Sequence, residues 1–160
     1  MRTIIMTDPI KVSNTIDGQK TLQFFEESII SHIRDMYIFP FVGKGNFYFL
    51  SYDKNNNLIG IAWVESAYTN ENGVYFPAFI REFGNVNYTK TCKYSKKGYG
   101  EKLLDQIINK VGREFRLSCL DDNAEHFWMH MAEKKGFEVT ELGTTLWGTK
   151  ALHFRDFGAQ

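Results

Sequence analysis

The sequence predicts an α/β fold in which a mixed, mostly antiparallel central sheet is flanked by helices, as a single domain over 1–160. Three observations predict it. Strand-type runs and turn residues alternate through the middle of the chain; two amphipathic helical patterns follow, separated by one short strand; and 160 residues fit one domain with little room for a second. Apolar residues make up 43% of the chain and charged residues 24%, a balance that supports a packed core rather than disorder.

The elements follow in chain order. Thr3 to Val12 reads as an edge strand interrupted by Pro9. Between Asp17 and Ile38, Leu22, Phe25, Ile29 and Ile33 recur at spacings of three and four, which predicts a helix bracketed by Gly18 and Pro40. Asn46 to Tyr52 and Leu58 to Val64 are β-rich runs joined by Asp53-Lys54-Asn55-Asn56-Asn57, residues that tolerate a left-handed backbone, so a hairpin is expected. Thr69-Asn70-Glu71-Asn72-Gly73 predicts a second hairpin. Val74 to Tyr88 is extended by composition, with Pro77 and Gly84 marking breaks or bulges.

After Gly98 the pattern becomes helical. Leu103, Leu104, Ile107, Ile108 and Val111 make one apolar face, and Gly112 stands where a C-terminal cap belongs. Phe115 to Leu120 alternates as a strand. Asp122, with Glu125 three residues on, predicts a capping pair for a further helix ending at Gly136. Phe137 to Val139 and Thr144 to Phe154 are read as the closing strands.

Charge sets limits on partners. The 19 basic and 19 acidic residues cancel, so nothing in the total draws the chain to nucleic acid or to an anionic membrane. Lys90, Lys93, Lys96 and Lys97 with Tyr88 and Tyr94 form the one local patch that could favour nucleic acid; the neutral total argues against it. The first residues turn polar too soon for a signal peptide, and no apolar run reaches transmembrane length. Two cysteines, Cys92 and Cys119, give no disulfide framework, so a cytoplasmic location is the expectation.

The segment with chemical content is Lys93-Tyr94-Ser95-Lys96-Lys97-Gly98-Tyr99-Gly100-Glu101. An extended run enters a glycine-containing loop, and the loop opens a helix whose first amides have no partner inside it. Those amides and the helix dipole suit a phosphate group, and three lysines add attraction. G-x-G beside lysines also occurs in ordinary surface turns. It is neither the G-x-G-x-x-G of a dinucleotide fold nor the G-K-[ST] of a P-loop.

At these residues the chain resembles the GNAT acetyltransferases. Ser95 to Gly100 has the spacing of their [RQ]-x-x-G-x-[GA] loop, and Glu133-Lys134-Lys135-Gly136-Phe137 looks like their G-F turn. Leu58-Ile59-Gly60-Ile61-Ala62 is similar to one of their central strands. The resemblance implies a GNAT-like sheet and acetyl-CoA as co-substrate, held by Tyr94, Ser95, Lys96, Lys97, Gly98, Tyr99, Gly100 and, near the pantetheine, Asn123. Asn123 is read otherwise as a helix-start residue beside the Asp122 cap. The resemblance further implies acetyl transfer to the primary amine of a small molecule or protein by direct attack, on a monomer or homodimer.

Two positions depart from the family pattern. Ser95 replaces the usual Arg or Gln, and Ala132 stands where a general-acid tyrosine is frequent. Catalytic candidates are Glu65 and Glu82 as bases, with Tyr94 or Tyr99 as a proton donor; surface glutamates and packing or rim tyrosines are the plainer readings. Ala132 keeps open a catalytically weak module that binds acyl-CoA or another protein. His126 and His130 lie four apart on a helix but opposite its expected apolar face, so a solvated pair is expected and no metal.

Overall fold

The computed structural model describes residues 1–17, 19, 45–85, 98–119, 122–144 and 148–157. Seven strands form one sheet in the order β1-β2-β3-β6-β7-β9-β8, with β1 Arg2–Met6, β2 Asn46–Tyr52, β3 Leu58–Glu65, β6 Ala78–Asn85, β7 Phe115–Cys119, β8 Phe137–Thr144 and β9 Lys150–Asp156. All neighbours are antiparallel except β6 and β7. Among the described residues, three helices accompany the sheet: α1 Pro9–Asp17, α2 Tyr99–Val111 and α3 Asp122–Lys135.

Both hairpins form where the turn residues predict them. Asp53 Oδ1 accepts from the amides of Asn55 and Asn57 and holds the β2–β3 turn, with Asn56 at φ 61°. Asn70 does the same for the amides of Asn72 and Val74, closing a separate ribbon of β4 Tyr68–Thr69 and β5 Tyr75–Phe76. Pro77 then divides β5 from β6.

The reading of Thr3 to Val12 as a strand is corrected at Pro9. The strand ends at Met6, and Pro9 opens α1 instead of interrupting a strand. Asp8 accepts from the amide of Ile10 at 2.9 Å, and Val12 donates to the Asp8 carbonyl at 3.1 Å. A proline at the first helical position loses no bond, because that N–H would be unpaired anyway. The helix expected between Asp17 and Ile38 lies largely outside the described residues. At the other end of the chain, β8 extends to Thr144, and β9 begins only at Lys150.

Asp122 is already inside α3, and Glu125 pairs with Lys150 at 2.9 Å, so the expected capping pair gives way to a helix–strand contact.

The sheet has a core on each face. On one, α2 and α3 cover Phe49, Val64, Ile80, Phe115, Leu117 and Phe154. Gly60 makes this approach possible, since a Cβ there would stand 3.3 Å from Ser51 Cβ and 3.4 Å from Leu103 Cδ2. On the other face, α1 brings Val12 and Ile16 to a second core with Tyr48, Leu50, Ile61 and Trp63. Each such side chain contributes about 1.5–3 kcal/mol when fully buried. This second core stops at β3.

Candidate functional site

The strands β6 and β7 are neighbours for only part of their length. β6 pairs with β3 along its whole length, from Phe79↔Glu65 to Asn85↔Gly60, whereas its parallel register with β7 covers Ala78↔Phe115, Phe79↔Arg116 and Ile80↔Leu117. At the next residue, Arg81, β6 bulges: Ile80 faces Val64 and Glu82 faces Trp63, which leaves Arg81 with no opposite number. A bulge bends its strand and sharpens its twist. Past this point β6 has no register partner on the β7 side among the described residues, and Ser118 and Cys119 lie beyond the last β6–β7 pair. Among the described residues, the parts of β6 and β7 beyond Ile80↔Leu117 are therefore not paired with each other, a gap in the ladder.

Helix α2 packs at this end of β6: Gly60, the register partner of Asn85, lies against Leu103. Gly98 stands before the helix at φ 75° and ψ 16°, a left-handed conformation that glycine adopts without strain. A Cβ added there would meet nothing within 4 Å. The first helical bond runs from Lys102 to the Gly98 carbonyl at 3.1 Å, so the amides of Tyr99, Gly100 and Glu101 have no acceptor inside the helix. These features fit a diphosphate. Tyr94, Ser95, Lys96 and Lys97 lie outside the described residues.

Two lysines of the Glu133–Phe137 turn fasten the start of α2. Lys134 Nζ reaches Glu101 Oε1 at 2.6 Å, and Lys135 Nζ lies 3.2 Å from Glu101 Oε2 and 2.5 Å from Asp105. The hydrogen bond from Lys134, followed by that from Lys135, holds the Glu101 carboxyl below the usual range. Burial pulls Lys135 down, but Asp105 and Glu101 outweigh it and the net shift is upward.

The proposed catalytic side chains separate in the structure. Glu65 ends β3 and accepts from Arg81 with both oxygens, at 2.9 and 3.0 Å, while the guanidinium lies 4.4 Å from the Phe79 ring centre. Glu82, half-buried, follows the bulge and shares a face with Trp63. Tyr99 is the first residue of α2, and its ring packs against the second core. Glu65 and Glu82 are thus both at the bulge, and Tyr99 is at the start of α2. Asn123 is exposed in the first turn of α3. Ala132 is 3% exposed and belongs to the first core, so no hydroxyl is offered from that position.

His126 and His130 are exposed and border a shallow depression with Met129, Glu133, Phe137 and Val139. Among the described residues, no group of three or more His, Cys, Asp or Glu is arranged to hold a metal. No described helix is long and apolar enough to cross a membrane.

Sequence reasoning missed Arg81 and Arg116. The inward set Phe115, Leu117 and Cys119 was the available signal: their alternation puts Arg116 on the face opposite α2 and α3. Nothing local announces the bulge that makes Arg81 the partner of Glu65. Tyr48 was missed as well. It is 3% exposed and its hydroxyl pKa is pushed up by burial, then by Glu65 and Asp8, so it stays protonated near neutral pH.

Comparison with protein-family models and with curated proteins gives no match. Solved structures do match over the whole chain. An acetyltransferase from Corynebacterium glutamicum, described as histone acetyltransferase HPA2 and related acetyltransferase, aligns with a TM-score of 0.57 at 11% identity, over 100% of this chain and 99% of that one. An acetyltransferase of the GNAT family from Staphylococcus aureus Mu50 aligns at 0.54 and 13%, covering 96% and 98%. Diaminobutyrate acetyltransferase from Paenibacillus lautus, solved with L-2,4-diaminobutyric acid and coenzyme A, aligns at 0.55 and 10%, covering 99% and 98%. Sheet order, the single parallel pair and these full-length alignments agree that the chain has the GNAT acetyltransferase fold.

Proposed function

We propose that the chain is an N-acetyltransferase that takes acetyl-CoA as co-substrate and transfers the acetyl group directly to a primary amine in the cytoplasm. The observation that carries this reading is the end of the β6–β7 register before Arg81, together with a helix α2 whose first intrahelical bond is made only by Lys102, to the left-handed Gly98. The amides of residues 99–101 hold the pyrophosphate, assisted by Lys96 and Lys97, and the part of β6 beyond its last pair with β7 receives an extended pantetheine arm. Amides of β6 near the bulge polarise the thioester carbonyl. Glu82 or Glu65 removes a proton from the attacking amine, so that its lone pair adds to the carbonyl carbon; the carbon–sulfur bond then breaks, and a proton goes to the departing sulfur, with Tyr99 as its candidate donor.

Calorimetry with coenzyme A and acetyl-CoA, followed by thiol release over an amine panel, tests the proposal. Saturable binding with amine-dependent thiol release supports it. Failure of both forms to bind well-folded protein ends it. The buried Ala132 favours a second reading, a module that binds acyl-CoA without efficient transfer. Tight binding with no turnover over the panel would select it.

A further inference from the structure

On the face opposite α2 and α3, the two halves of the sheet differ. Under α1 it is apolar as far as β3. Beyond β3, the residues turned to that face include Phe79, Arg81 and Glu82 of β6, Arg116 and Ser118 of β7, and His153 of β9, which faces Arg116 in register. Arg81 is bound by Glu65, and His153 Nε2 lies 2.8 Å from Glu114 Oε1. Among the described residues, Arg116 has no such carboxylate. Its Nε is buried and, among the described residues, has no hydrogen-bond partner.

A buried guanidinium nitrogen without a partner is costly, on the order of 1–3 kcal/mol. Arginine presents a planar fork of donors that matches a carboxylate with two parallel bonds. The residue facing Arg116 across the parallel register is Phe79, one step from the last pair before the gap opens. A group bound to Arg116 therefore lies beside Glu65, Glu82 and the bulge, where the amine must arrive.

We propose that Arg116 is a specificity residue that binds a carboxylate carried by the acceptor, so that the preferred substrates are amino acids rather than simple amines. This rests on the acetyl-transfer reading for its chemistry, but the binding of a carboxylate does not. The side chain of Arg116 supplies two donors to the acid group, and the acceptor's amine is thereby held on the Glu82 side of the bulge.

The test compares free amino acids with the amines that result from their decarboxylation, using α-amino, β-alanine-type and longer ω-amino acids. The expected result is a higher kcat/KM for the acid of at least one pair, a preference that Arg116→Gln reduces about ten- to a hundredfold. Arg116→Lys should restore part of it. Phosphate-bearing amines form a separate arm: a preference for them over carboxylates would overturn the carboxylate assignment. Equal use of acids and amines by the wild-type protein, or a preference unchanged in Arg116→Gln, would overturn the proposal. Thermal melting identifies a misfolded variant, in which case the Lys variant decides.

Calorimetry or NMR titration of the same acids and amines reads binding without turnover. Acid-selective binding that Arg116→Gln removes upholds the carboxylate site even if coenzyme A fails to bind. Loss of acetyl transfer with that selectivity intact would reject the enzyme reading alone. Absence of acid-selective binding, with a guanidinium that merely stabilises the fold, would reject this one.

Discussion

The pairs β2–β3 and β6–β7 show how one sheet serves two purposes. β2 and β3 stay in register from Asn46↔Glu65 to Ser51↔Gly60, and Phe49, Leu50, Ile61 and Ala62 are buried on its two faces. β6 and β7 hold three register pairs and then part at a bulge. Continuous pairing satisfies every backbone group and leaves nothing for a ligand. Interrupted pairing leaves backbone donors and acceptors on both sides of a gap, which a bound chain can satisfy. The stable half of the sheet therefore holds still the edge from which the binding half departs.

That contrast can be broken or sharpened by substitution, from the largest expected effect to the smallest. Gly98→Asp should abolish coenzyme A binding by calorimetry while the far-UV spectrum stays native, because a carboxylate would stand at the amides of α2. Unchanged affinity would remove the phosphate assignment.

Glu82→Gln should lower kcat/KM by about 10²–10⁴-fold and flatten the acid limb of its pH profile, if Glu82 is the base. Glu65→Gln should cost less, since Arg81 already occupies both of its oxygens. A profile moved by neither substitution would remove both residues from the role.

In the continuous half, Phe49→Ala should lose about 3–5 kcal/mol of stability in urea titration, with coenzyme A affinity retained. Phe83→Ala, past the bulge and half-buried between Phe127 and Trp128, should cost less stability and more ligand affinity. The reverse order would show that the gap is as tightly packed as the rest.

The smallest effect is expected at Glu101. Its carboxyl is depressed by Lys134 and Lys135, so its contribution is present above the unfolded carboxylate pKa and lost as pH falls through the folded one. Glu101→Gln should cost under about 1 kcal/mol at neutral pH in low salt, because exposed pairs are screened. The variant should also lose less stability than the parent on acidification below the usual carboxylate range. A parallel acid dependence in both proteins would assign the slope to other groups.

Much of this was legible along the chain because it depends on neighbours in sequence. Asp53 and Asn70 make their turns with amides two and four residues on, and α2 follows from the spacing of Leu103, Leu104 and Ile107. The left-handed glycine before α2 belongs to the same class, since only local backbone sterics require it. Pro9 was misread because the same residue interrupts a strand and opens a helix; Asp8, one step earlier, was the cue.

What the sequence by itself determined is therefore most of the elements from Asn46 onward and their order, with the glycine that precedes α2. Tertiary structure alone decided where β6 leaves β7, which carboxylate Arg81 holds, and that Arg116 comes to lie near the gap with a buried nitrogen that has no partner among the described residues. The physical reason is distance along the chain. Glu65 and Arg81 are 16 residues apart, and Phe79 and Arg116 lie in different halves of a crossover, so no local preference encodes their meeting. It follows from the registers that the two cores impose on the strands.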